Sequence, residues 1–263
     1  MVQVVVSARY TTAESEDSTY LCVLRPYDSS LVSGLIDHMA NVRHVTKAVV
    51  IEDRADPQGG WKIASPLRDM RTGRITVTTH TVAADTSSFA AAARAAVGAG
   101  AGAVVYAGTS PARGARCATD LAAAGFTGTA LSAGPVLAPD FLRAAGRAAE
   151  GWIFSEAYTD PTALPAAKAF TAAHREKFGA PPATWAAEAY DAVGLIARAA
   201  GTTNATDALR GGIAQRVFRT EYRGITRRLA FDVSHLVPRK EGIFLYRIDD
   251  GRARFLGLYG SVR

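Results

Sequence analysis

The chain has 263 residues, 48% of them apolar, 21% charged and 8% aromatic, with a formal charge of +6. That length fits one large α/β domain or two small ones, and the apolar share excludes a disordered tail. Of the 30 basic residues only five are lysine (Lys47, Lys62, Lys168, Lys177, Lys240), which leaves 25 arginines. The arginines are scattered and lack a repeating aromatic pattern, so no nucleic-acid partner is expected.

Taken in chain order, strand and helix alternate. VQVVV (Val2 to Val6) is a short continuous apolar run, the signature of a strand covered on both faces. YLCVLR (Tyr20 to Arg25) reads as a second strand. Asp28, Ser29 and Ser30 can cap a helix whose Leu31, Leu35, Ile36 and Met39 recur at helical spacing. KAVVIED (Lys47 to Asp53) is a buried strand, ADPQGG a turn cluster, and Trp61 to Met70 a helix. RITVTTHTV (Arg74 to Val82) is β-branched and extended. Thr86, Ser87 and Ser88 cap an alanine-rich helix from Phe89 to about Val97. AVVYAG (Ala103 to Gly108) is a strand and Pro111 to Gly125 a helix ending at a glycine. TALSAGP is a short strand and loop, Asp140 to Ala149 a short helix, and Gly151 to Tyr158 extended. Two longer helices follow, Leu164 to Phe178 and Trp185 to Ala200, the second with Ala186, Ala189, Tyr190, Val193 and Ile196 on one stripe. GIFLYRI and ARFLGLY flank Asp249-Asp250-Gly251, a strong hairpin signal. The run from 25 to 135 is a series of βα units with a parallel sheet.

Several chemistries find no support. Cys22 and Cys117 are too few and too far apart for a zinc cluster or a disulfide framework, and read as small buried side chains, with a single bridge in an oxidising compartment as the alternative. The five histidines show no ligand spacing, so no metal is expected. GAGAG (Gly98 to Gly102) follows a helix and precedes a strand, the reverse of a dinucleotide loop, so no nucleotide cofactor is expected. No nucleophile motif or acid/base pair stands out, and the chain reads as no enzyme. The opening MVQVVVSARY shows no signal peptide. The nearly uncharged Phe89 to Gly108 window is better explained as a helix and a buried strand than as a membrane span. What remains is position: in open α/β sheets ligands bind outside the carboxyl ends of the strands. That rule selects Glu52 and Asp53, Thr109 and Ser110, and Ser132 to Gly134. Thr109 and Ser110 also stand at a helix N-terminus, either as caps or as part of an anion site.

AEAY followed by DAVGLIARAA resembles the YDAV helix of type I periplasmic substrate-binding proteins, the branched-chain amino-acid binding family of ABC importers. FRTEYRGITRRLAFDVSHLVPRKEGIFLYRIDDGRARFLGLYG resembles that family's C-terminal stretch. AVVYAGTSPARGARCATDLAAAGF, AAGRAAEGWIFSEAY with LPAAKAFTAAHREKFGAPP, and LCVLRPYDSSLVSGLIDHMANVRHVTKAVVIEDRAD match in the same order. The resemblance implies a two-lobe α/β fold with parallel sheets flanked by helices, closing on a small polar molecule such as an amino acid or a related amide or carboxylate. It places residues 1–24 and 153–226 in lobe one and 25–152 and 227–263 in lobe two. The family's first βα units have no counterpart here, so lobe one is expected to be incomplete and able to self-associate. The resemblance also implies an ABC permease as partner and an extracytoplasmic location (cytoplasmic if Met1 is the true start). The ligand-binding residues it implies are Ser7, Ala8, Arg9 and Tyr10 in lobe one, Asp53, Thr109, Ser110 and Ser132 in lobe two, and Tyr158 at a crossover. Leu131 to Pro135 holds no carboxylate where amino-acid binders carry one for the ligand ammonium, which favours a neutral or anionic solute. The alternatives are a sensing or interaction domain of a larger receptor, or a homologue that no longer binds.

Overall fold

The computed structural model describes residues 3–8, 20–70, 73–201, 212–231 and 241–263. The chain divides into two compact units, Met1–Tyr27 with Ala157–Ile243, and Asp28–Glu156 with Phe244–Arg263.

The second unit is built on seven strands: β3 (Lys47–Asp53), β4 (Thr76–Val82), β5 (Ala103–Ala107), β6 (Thr129–Ala133), β7 (Ile153–Glu156), β10 (Phe244–Asp249) and β11 (Arg252–Leu258). Their order in the sheet is β11-β10-β7-β6-β5-β3-β4. Neighbours from β4 to β7 are parallel, and β10 and β11 add as an antiparallel edge. Strands β5, β6 and β7 are buried at every residue, as is β3 beyond Lys47, which is why β5 and the centre of β3 read as unbroken apolar runs. Helices α1 (Asp28–Asp37), α2 (Pro57–Arg68), α3 (Ala90–Gly98), α4 (Pro111–Ala123) and α5 (Pro139–Ala145) belong to this unit. The Asp-Gly turn forms as expected, with Asp250 and Gly251 both in the left-handed region.

Helix α2 corrects the reading of ADPQGG as a turn. Asp56 is its N-cap, with the carboxylate accepting from the Gly59 amide, and Pro57 opens its first turn. A Cβ at Gly60 would lie 2.8 Å from the backbone oxygens of Ala107 and Asp53. The glycines are therefore a packing device that lets α2 approach the ends of β3 and β5, not a turn signal. Helix α1 starts at Asp28 and closes with a π-helical turn, His38–Val42.

The first unit holds β1 (Gln3–Val5) and β2 (Leu21–Val23), a parallel pair, and a short antiparallel pair, β8 (Tyr222–Arg223) with β9 (Arg228–Leu229). Its helices are α6 (Lys168–Phe178), α7 (Ala186–Gly201) and α8 (Gly212–Arg219). A core forms where Cys22, Leu24, Ala192, Leu195, Ala199, Val217 and Leu229 pack together. The expected boundaries therefore shift. Residues 227–243 group with the first unit, as the burial of Leu229 against Leu195 and Val217 explains. Ile153–Glu156 groups with the second, because it pairs with β6 and β10.

Helix α7 presents a different face from the one its apolar spacing suggests. Its buried residues are Ala187, Glu188, Asp191, Ala192, Leu195 and Ala199, while Tyr190 and Val193 are 52% and 67% exposed.

Candidate functional site

In the second unit the carboxyl ends of β3 and β5 carry two neighbouring hydrogen-bonded groups, Asp53 with Arg113 and Ser110, and Asp56 with Thr109. Asp53 is buried at the end of β3. Its Oδ2 accepts from Arg113 Nε at 2.7 Å and from the Tyr106 hydroxyl at 2.6 Å. Its Oδ1 accepts from Arg113 Nη2 at 2.7 Å and from the Ala55 amide at 3.0 Å. Burial opposes ionisation of Asp53, but the Arg113 and Tyr106 hydrogen bonds outweigh it and hold the carboxyl below its usual range. Arg113 also donates to the backbone oxygens of Ala83, Ala84 and Thr86 and lies over the Phe89 ring. One guanidinium thus fastens the loop after β4 to the end of β3.

Thr109 and Ser110 follow β5 and are half-buried. The Thr109 hydroxyl donates to Asp56 at 2.7 Å, and Ser110 caps α4 by accepting from the Arg113 amide. Ser132 lies deeper: its hydroxyl is fully buried and donates to the Tyr106 carbonyl at 3.0 Å. Glu52 is buried and paired with Arg54 and Arg68. Both carboxylates at the end of β3 are thus committed to arginines, and Asp56 to Thr109 and the Gly59 amide. This edge offers hydroxyls and helix N–H groups more readily than free negative charge.

In the first unit the Ser7 carbonyl accepts from Arg25 at 2.9 Å. The buried Arg25 lies over the Trp185 ring, which meets Tyr158 edge-on with centroids 5.3 Å apart. Trp185 adopts φ +71, a left-handed conformation uncommon for so bulky a residue. Ser7 and Ala8 are exposed, while Arg9 and Tyr10 lie outside the described residues. Beside this group the polar face of α7 holds two segments in place. Glu188 accepts from the Thr159 amide and hydroxyl at 2.7 and 2.8 Å, and burial raises its pKa. Asp191 accepts from the Ile225 and Thr226 amides and the Thr226 hydroxyl. A Cβ at Gly224 would lie 2.2 Å from an Asp191 oxygen. The glycine and threonine of RGIT thus fit the aspartate of the YDAV motif, and both motifs do structural work at that contact.

Sequence reasoning missed Asp56, Arg113, Arg25 and Trp185. Asp56 before Pro57 was a legible N-cap signal. Arg113 and Arg25 carry no local mark, because their partners are 60 and 18 residues away. The cysteines are free and buried, and burial pushes the Cys22 thiol up to about 12 and that of Cys117 higher still, which suits neither to nucleophilic work. Among the described residues no cluster of His, Cys, Asp or Glu is arranged to hold a metal.

A family model for periplasmic binding proteins matches residues 2–251, nearly the whole chain. The chain belongs to the periplasmic binding protein family. Its fold is the type I form, and solute binding is the function class that goes with the family. Solved structures agree on the fold of this periplasmic binding protein. The Streptococcus pneumoniae branched-chain amino acid transporter substrate-binding protein LivJ, in complex with isoleucine, is 23% identical with a TM-score of 0.76; 98% of this chain covers 73% of that one. A Desulfitobacterium hafniense ABC transporter substrate-binding protein in complex with Leu is 19% identical with a TM-score of 0.78, at 97% and 73% coverage. A Rhodopseudomonas palustris solute-binding protein in complex with benzoate is 18% identical with a TM-score of 0.69, at 92% and 66% coverage. A comparison with curated proteins gives no match.

Proposed function

We propose that the chain is the extracytoplasmic solute-binding component of an ABC-type importer and hands its solute to a permease. The solute is a small polar molecule, neutral or anionic, of the amide or carboxylate class. The observation that carries this reading is the state of the carboxylates at the ends of β3 and α2. Asp53 has each oxygen occupied by two donors, and Asp56 accepts from Thr109 and Gly59. An ammonium group would find no uncommitted acid there, whereas a carboxylate or amide oxygen would meet the hydroxyls of Thr109 and Ser110 and the positive end of α4. The benzoate complex is a relative whose ligand carries a carboxylate and no ammonium.

Within this proposal Thr109 and Ser110 touch the solute, and Asp53, Arg113 and Ser132 hold the loops that carry them. Ser7, Ala8, Arg9, Tyr10 and Tyr158 are the candidate contacts of the first unit, joined there by Trp185. No helix among the described residues is long and apolar enough to cross a membrane. The test is a thermal-shift and calorimetric panel of small carboxylates, amides and amino acids. A carboxylate or amide should raise the melting temperature by several degrees, and Thr109→Ala with Ser110→Ala should lose at least tenfold in affinity. Stabilisation by α-amino acids alone, or by no member of the panel, would overturn the assignment.

A second reading, an interaction module that pairs through its first unit, is favoured by the exposed Phe178, Tyr190 and Val193.

A further inference from the structure

The end of the second sheet opposite the Asp53 edge holds a separate cavity of ≈ 620 Å³. It opens where β6 and β7 begin, and its lining includes His38, Arg43, Thr129, Arg147, Glu150 and Arg247. That volume is within the range of small-molecule sites, roughly 300 to 1,000 Å³. The charge around it is unbalanced. Arg43, Arg147, Arg247 and Arg263 line it against a single carboxylate side chain. That carboxylate, Glu150, is occupied elsewhere: its oxygens accept from the Asp250 and Gly251 amides at 3.0 and 2.6 Å, tying it to the hairpin turn. Arg247 is paired with Asp249. Arg43 spends Nε on the Thr129 hydroxyl at 3.0 Å and has no other partner among the described residues, and Arg147 has none there.

The second observation is His38. It stands in the π-helical turn after α1, is 5% exposed, and its Nδ1 makes no hydrogen bond. A buried ring nitrogen without a partner is uncommon and asks for an explanation. Burial is the main influence that lowers the pKa of this imidazole; the charge of Arg43 adds to it, Asp37 opposes it, and Arg247 adds a smaller share, so both guanidinium groups act on the same ring. Arg43 and Arg147 are exposed and in no ion pair among the described residues, and guanidinium groups so placed beside a buried polar ring suit oxyanions, which accept planar, charge-assisted hydrogen bonds.

We propose that this cavity is a second ligand site, selective for compact small molecules bearing two or more oxyanion charges, of the polyphosphate or polycarboxylate class. Arg43 and Arg147 supply the principal contacts, and His38 lies beside the bound anion. The site lies at the opposite ends of the strands from Thr109 and Ser110, and its occupancy does not depend on the solute assigned there.

Calorimetry with inorganic pyrophosphate and with citrate on the full chain, at matched ionic strength against sodium chloride, tests it. One probe or both should bind saturably at one site per chain, and the His38 imidazole resonances should move with the same saturation. Arg43→Ala with Arg147→Ala should weaken binding at least tenfold while retaining the circular dichroism spectrum. Arg74→Ala with Arg94→Ala removes the same charge from outside the cavity and should change affinity less than twofold. If the cavity variant fails to fold, Arg43→Gln with Arg147→Gln serves in its place. Absence of saturable binding by either probe, or equal weakening in both pairs of variants, would overturn the proposal, the latter by reducing the effect to general screening.

Discussion

Arg113 does at one point what no local pattern announces. Its fork engages both oxygens of Asp53 and its remaining donors engage the backbone at Ala83, Ala84 and Thr86. Removing one partner of a buried ion pair leaves the other charge desolvated and alone, which costs more than the pair contributes. Arg113→Ala is expected to destabilise the chain by about 3 kcal/mol in urea unfolding, and Arg113→Lys to recover only part of that, since an ammonium cannot reproduce the fork. Asp53 gives the matching pH dependence. Its folded pKa lies below the ordinary value, so its contribution is present above about pH 4 and is lost as pH falls through that value towards the folded one. Asp53→Asn should therefore flatten the loss of stability between about pH 5 and pH 2 measured by denaturant titration. Asp53 itself was visible in the sequence, as an acid at the end of a buried strand. Its role was not, because a carboxylate facing solute and one facing an arginine look the same until the arginine is placed.

At the scale of elements, the strands were legible and the helix boundaries less so. KAVVIED spans β3 from its first residue to its last, because its centre, Ala48 to Ile51, is the unbroken apolar run of a strand covered on both faces and its charged residues fall at the ends. Helix α2 escaped by its first four residues. Gly59 and Gly60 weaken helix propensity, and tertiary contacts explain their presence: the Asp56 carboxylate and Thr109 methyl lie against Gly59, and the carbonyls of Ala107 and Asp53 against Gly60. Gly60→Ala would force a Cβ against two backbone oxygens that cannot swing aside. The expected cost is about 2 kcal/mol by thermal melting, with weaker solute binding because Asp56, which accepts from Thr109, is carried on the displaced turn. An unaltered melting temperature would show that α2 has room to retreat. Helix α7 misled in another way. Its apolar stripe is present, but Glu188 and Asp191 bury the other face by accepting from Thr159, Ile225 and Thr226.

For the molecule as a whole, the first unit has features that call for covering. Its β1 and β2 form a two-stranded parallel sheet, a type that ordinarily lies inside a larger one. Phe170, His174, Phe178 and Tyr190 make a chain of ring contacts whose members Phe178 and Tyr190 are well exposed. If the chain pairs through this face, light scattering after gel filtration should give a dimer at micromolar concentration, and Tyr190→Ser with Val193→Ser should return it to a monomer. A monomer in both would remove pairing through this face. The sequence by itself determined the family, the alternation of strand and helix and the parallel sheet, since these rest on local periodicity and on motifs that keep their order. Tertiary structure alone decided which carboxylates are free, which face of α7 is buried, and that arginines from distant segments share one cavity. Each of those depends on partners far apart in the chain, and a side chain's charge or apolarity gives no indication of what it will meet.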